Sequence, residues 1–181
     1  MVFHFTGKHM EDFNKRYLDF CRPFIEAIKE VYSTMISSEL TPEKPGIKTK
    51  KKAAGFYSAI MGINGRYQNA HDKKSFKGTL VLSWPKDVYL KTASAMLFEE
   101  FTEFNDEIAD VGLEICNITM GNAKQSLAED GFFIEMSIPT SVKGEDHEIS
   151  AQEGVVTIST PVNCDLGSFV IELSYEDHEI E

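Results

Sequence analysis

The stretch Phe76–Leu97, FKGTLVLSWPKDVYLKTASAML, decides the fold. Phe76, Gly78, Leu80, Leu82 and Trp84 alternate with Lys77, Thr79, Val81 and Ser83, the two-residue period of a strand with one buried face. Pro85 ends that period because it has no N–H to give to a ladder. Val88, Leu90, Ala93, Met96 and Leu97 then recur at helical spacing.

Working upstream, Ala53–Ile63 is rich in small and β-prone residues and reads as a strand, followed by a long polar loop through Gly65, Asn69, His71 and Asp72. Lys44-Pro45-Gly46 is a turn. Phe24, Ile28, Val31 and Met35, with Ile25, Tyr32 and Ile36, form an amphipathic helix that starts at Pro23 and stops before Thr41-Pro42. Ahead of it, Phe13, Tyr17, Leu18 and Phe20 suggest a short helix or arm that Pro23 interrupts. The expected organisation is an N-terminal extension over residues 1–21 and a single domain over 22–181.

Working downstream, Asn105-Asp106-Glu107 before Ile108 supplies the cap and acidic first turn of a third helix, which runs to about Ala128 and is stopped by Asp130-Gly131. Phe132–Ile138, Val155–Pro161 and Ser168–Tyr175 each carry apolar residues at every second position. Short turns between them imply an antiparallel meander. The expected class is α+β, an antiparallel sheet with helices packed on one face.

Composition narrows the function. The 181 residues suit one domain, and 29 acidic against 18 basic residues leave a net charge of −11, which argues against nucleic acid or an anionic membrane as the main partner. The basic cluster Lys48, Lys50, Lys51 and Lys52 reads as a solvated strand or loop. Cys21, Cys116 and Cys164 lack CxxC spacing and a secretory leader, so reduced thiols in the cytoplasm are the simplest account. Apolar runs fall short of the ~18 residues of a membrane-spanning helix. His4, His9, His71, His147 and His178 show no metal-ligand spacing and read as uncommitted. The sequence contains no GxSxG, GxxxxGK[ST] or GxGxxG.

The third helix carries the chemistry. On a 3.6-residue period Ile108, Val111, Ile115 and Ile118, with Cys116, Met120, Ala123 and Leu127 beside them, face the core. The opposite stripe is Asp110, Glu114, Asn117, Gly121 and Lys124. A stripe of this kind is most often an ordinary wet face. Here, however, Asn is a poor helix former and Gly costs about 1 kcal/mol relative to Ala inside a helix. Gly121, one turn after Asn117, also leaves room for another molecule to approach the Asn amide.

The run Asp110-Val-Gly-Leu-Glu114-Ile-Cys-Asn117-Ile-Thr-Met-Gly121-Asn-Ala-Lys124 resembles the ExxN signature of the CheC/CheX/FliY phosphatases. Pro139, within Ser137-Ile-Pro-Thr-Ser-Val-Lys-Gly144, falls where that family has a downstream proline. The Pro23-Phe-Ile to Thr34-Met35 helix, the Lys44-Pro45 turn and the Gly78-x-Leu-x-Leu-Ser strand are similar too, so the resemblance spans about residues 22 to 175. One ExxN helix is recognisable, as in the CheX branch; Glu26 and Glu30 have no Asn three positions on.

This resemblance implies a cytoplasmic CheX-like domain that hydrolyses the aspartyl phosphate of a CheY-like response regulator. It implies Asn117 as the residue that places the attacking water and Glu114 as the anchor on the regulator. Asp110, Gly121 and Lys124 are the expected partner contacts. It implies no cofactor or metal of the protein's own, Mg²⁺ held by the partner, and a homodimer in which a sheet edge is completed by the second copy. Two other readings are a non-catalytic docking module of the same shape and a structural component related to the flagellar switch.

Overall fold

A computed structural model describes residues 7–70, 73–149 and 155–179. Helix α1 spans Gly7–Val31, followed by a π-helical turn at Tyr32–Ile36. The short strands β1 (Thr41–Pro42) and β2 (Gly46–Ile47) come next, then β3 (Tyr57–Gln68), β4 (Lys73–Trp84), α2 (Lys86–Leu97) and α3 (Val111–Glu129). Strands β5 (Phe132–Met136), β6 (Thr140–Lys143), β7 (Thr157–Cys164) and β8 (Gly167–Glu179) complete the described chain. All strand pairs are antiparallel, in the order β1-β7-β8-β4-β3-β5, with β2 also on β7 and β6 also on β3. Among the described residues no helix is long and apolar enough to cross a membrane.

The alternation expected of β4 marks its helix side, and its neighbours follow it, but the other face is not open, since Val81 and Ser83 are buried as well. Phe76, Leu80, Leu82 and Trp84 of β4, Tyr57, Ala59, Met61 and Ile63 of β3, and Phe169, Ile171, Leu173 and Tyr175 of β8 are buried on the helix side. Around them Phe20 and Phe24 of α1 and Phe132 of β5 complete an aromatic cluster with ring centroids 4.7–5.8 Å apart.

Pro23 does not break the first helix. It removes one helical hydrogen bond and costs about 3 kcal/mol, but Phe20, Phe24 and Ile28, spaced by four residues and fully buried, each contribute roughly 1.5–3 kcal/mol. The sum exceeds the penalty, and α1 runs through to Val31. Tyr17 fastens the earlier half by donating to the Leu173 carbonyl at 2.6 Å.

Further expectations are corrected. Gly65 lies inside β3 rather than in a polar loop, paired with Phe76 and Ile134; a Cβ there would stand 2.6 Å from the Phe76 ring, so glycine admits the aromatic. His71 and Asp72 of that expected loop lie outside the described residues. The closing strands are not a meander: β7 and β8 form a hairpin, but β5 and β6 pair with β3 on the far side of the sheet. The apolar alternation of each strand was visible, whereas its neighbour was set by α3 delivering the chain to the β3 edge.

Lys48 is not solvated. Its Nζ lies 2.6 Å from Glu172, with side chains 11% and 4% exposed. It belongs to a polar covering on the sheet face opposite the helices, where Ala53 N–H donates to the His147 carbonyl and Ile149 N–H to Lys51. Lys52 pairs with Asp146, and Lys50 and Lys51 are exposed. His147 is also committed: Nδ1–H donates to the Gly144 carbonyl at 2.9 Å, which leaves Nε2 to accept from Ser58 at 2.8 Å.

Lys48→Ala is expected to lower the unfolding free energy by about 3–5 kcal/mol, because Glu172 would be left as an uncompensated buried charge. Urea denaturation reads this directly, and Lys48→Met with Glu172→Leu should recover most of the loss. A single-mutant loss under about 1 kcal/mol would mean the pair behaves as a surface bridge.

Candidate functional site

Helix α3 is held from beneath and from one side, packing on α1, β5 and β3. Ile115, Cys116, Met120, Ala123 and Leu127 are fully buried, with Val111 and Thr119 nearly so. Ile118, expected in the core, is half-buried at its margin. The buried line therefore matches the helical period, and the opposite line is bare: Asp110, Glu114, Asn117, Gly121 and Lys124 are all exposed. At about 1.5 Å per residue the stripe is about 21 Å long, with Asn117 about 4.5 Å beyond Glu114 along the axis.

The helix begins later than the sequence suggests. Asn105 does cap, but it caps a turn: its Oδ1 accepts from the N–H groups of Glu107 and Ile108 at 3.1 Å. Regular helix starts at Val111, with Asp110 at the N-cap position and no cap bond from its side chain. A polar residue followed by acidic ones satisfies an Asx turn as well as a helix N-terminus.

No hydrogen bond or ion pair within the described residues ties Asp110, Glu114, Asn117 or Lys124 side chains down. Their carboxylates, amide and ammonium are thus available to a second molecule. Burial pushes the Cys116 thiol, beside Asn117 in sequence but turned into the core, up to about 12, so it supplies no thiolate. Among the described residues no group of three or more His, Cys, Asp or Glu is placed to hold a metal ion.

Two glycines of α3 have opposite surroundings. A Cβ on Gly121 would meet nothing within 4 Å, so the fold itself does not demand glycine there. A Cβ on Gly112 would stand 2.4 Å from the Tyr57 ring and 3.1 Å from the Tyr89 ring. Those rings stack on each other with centroids 4.2 Å apart. Tyr57 donates to the Ala109 carbonyl and Tyr89 to the Ile108 carbonyl, each at 2.7 Å. These three residues set where the stripe begins and were not singled out from sequence. The available signal was a second glycine in the helix, but nothing local said which rings it faced.

The family model described as "Chemotaxis phosphatase CheX" matches residues 57–163, more than half of the chain. The crystal structure of chemotaxis protein CheX from Vibrio vulnificus is similar at a TM-score of 0.75 and 32% identity, covering 87% of this chain and 99% of that one. A chemotactic CheC-like protein from Shewanella oneidensis is 34% identical at a TM-score of 0.75, covering 88% and 99%. A crystal structure of the CheX–CheY–BeF₃–Mg²⁺ complex from Borrelia burgdorferi contains a chain 28% identical at a TM-score of 0.69, covering 88% and 98%. No curated protein matches the chain significantly.

The two glycines give a paired test by thermal or urea unfolding. Gly112→Ala should destabilise by about 1–3 kcal/mol, as overpacking does, whereas Gly121→Ala should stabilise by about 0.5–1 kcal/mol. Equal effects of one sign would contradict the packing described.

Proposed function

The chain belongs to the CheX family of chemotaxis phosphatases, and from that membership we propose that it removes phosphate from a phosphorylated CheY-like response regulator through Glu114 and Asn117. The observation that carries this reading is that the one ExxN pair of α3 stands exposed, without a side-chain partner among the described residues, beside a glycine the fold does not need.

An acyl phosphate is already reactive, and a regulator's own Mg²⁺ and lysine neutralise the phosphoryl oxygens, so the missing component is an oriented water. The Asn117 carbonyl oxygen accepts a hydrogen bond from that water while its NH₂ donates to a neighbouring acceptor, which fixes the water in line. The water oxygen bonds to phosphorus, the aspartyl O–P bond breaks, and the regulator carboxylate and inorganic phosphate are released, the water proton leaving on phosphate. Glu114, one turn earlier, pairs with a lysine of the regulator's active site and sets the depth at which Asn117 enters. Gly121 leaves space for the partner backbone, while Asp110 and Lys124 extend the contact. The protein works in the cytoplasm and needs no cofactor of its own.

We infer also that the chain acts as a homodimer. One sheet edge, β7, carries β1 and β2. The other is formed by β5 and β6 and exposes Phe133, Met136, Ile138 and Val142, an apolar edge that a second copy would cover.

With regulator autophosphorylated by a small-molecule donor, wild-type protein should accelerate loss of phosphate. Asn117→Ala should abolish the acceleration with the fold intact, Glu114→Ala should reduce it at least about tenfold, and Gly121→Ala should weaken docking despite its gain in stability. Full activity of Asn117→Ala would rule this mechanism out. For the dimer, sedimentation velocity should give about twice the chain mass, shifted to one chain by Phe133→Lys with Ile138→Asp; a monomeric wild type at tens of micromolar would exclude it.

A further inference from the structure

Helix α3 lacks an N-cap of its own. Asp110 makes no side-chain cap bond, yet the amide two residues on, at Gly112, is buried and cannot turn to water. Its acceptor comes from another helix: Gly112 N–H donates to the Tyr89 hydroxyl at 3.1 Å. The same hydroxyl donates to the Ile108 carbonyl at 2.7 Å. One oxygen thus joins the turn before Asp110 to the helix after it.

The support is layered. Tyr57, stacked on Tyr89, donates to the Ala109 carbonyl, and Phe104 lies against both rings at 5.6–5.8 Å. Lys143 of β6 sits 4.5 Å from the centre of the Phe104 ring. Burial raises the ionisation range of both phenols, so both hydroxyls keep their protons near neutral pH.

The two functional positions depend on this clamp unequally. Asn117 lies among Ile115, Cys116 and Met120, which are fully buried and fasten that turn by packing. Glu114 lies in the first turn, where its own N–H bonds back to the Asp110 carbonyl at 3.0 Å. We propose that Tyr89, backed by Tyr57, is a positioning residue for dephosphorylation, supplying from α2 the cap that α3 lacks and so holding Glu114 ready to dock. The inference rests on the roles given above to Glu114 and Asn117.

Tyr89→Phe keeps the ring and its stack and deletes only the hydroxyl. In the free protein, amide exchange over Gly112–Ile115 should accelerate about fivefold relative to the rest of α3, as for one lost hydrogen bond at a helix start that raises the opening constant about tenfold. If docking needs an ordered first turn, apparent affinity falls by the fraction of time it is ordered. KM for phosphorylated regulator, and Kd for regulator carrying beryllofluoride in place of phosphate, should therefore rise about twofold, as for a first turn open about a tenth of the time in wild type and about half of the time in the variant, with kcat unchanged. Tyr57→Phe should move both in the same direction by less.

A merely structural role gives another pattern. Global destabilisation raises exchange throughout the core and lowers kcat per mole of chain while leaving KM in place. That pattern, or unchanged exchange over Gly112–Ile115, would overturn the proposal. The exchange measurement needs no regulator. Local loosening in a wild-type background without phosphatase activity would therefore establish the cap, and the positioning role would fall together with the functional reading.

Discussion

Everything distinctive about this chain depends on one helix being held firmly by one side only. Ile115, Cys116, Met120, Ala123 and Leu127 are removed from water completely, and burial on that scale, about 0.8 kcal/mol per methylene, anchors α3 without help from its outer face. The outer face is thereby released from any duty to stability. It can carry an asparagine and a glycine, both poor helix formers, because the inner face has fixed the backbone already. The same separation explains why the exposed side chains of the stripe have no partners among the described residues.

Parts of this arrangement were legible in the residues. The α3 stripe and its buried counterpart follow from a period that local geometry imposes, and the β4 alternation marks the helix-side face just as directly, although nothing local to the strand announces that Val81 and Ser83 on its other face are covered too. The misread features share a physical cause, which is that distant contacts decided them. Pro23 looked like a stop, but Phe20, Phe24 and Ile28 outweigh it by reaching the sheet. Gly65 looked like a loop residue because the ring that requires it, Phe76, comes from the next strand. Lys48 looked solvated because Glu172 lies 124 residues away in sequence.

The site divides along the same line. Asp110, Glu114, Asn117, Gly121 and Lys124 share a stripe whose spacing sequence can express. Tyr57, Tyr89 and Gly112 act through a stack of two rings from a strand and a helix against a third element, and no local pattern encodes that meeting. Family membership supplies the class of chemistry, while the packing shows which residues hold the exposed stripe in place.

The borrowed start of α3 also limits how portable its exposed stripe is. The first turn relies on oxygen atoms from β3 and α2, and the rest of the helix relies on burial against α1 and the sheet. Cut out as a peptide, nineteen residues with two glycines and two asparagines would be a marginal helix in water. The ExxN motif is therefore a property of an assembled surface and not a cassette: moved to a foreign scaffold it needs its two tyrosines and the glycine that admits them, or an equivalent cap, to come with it.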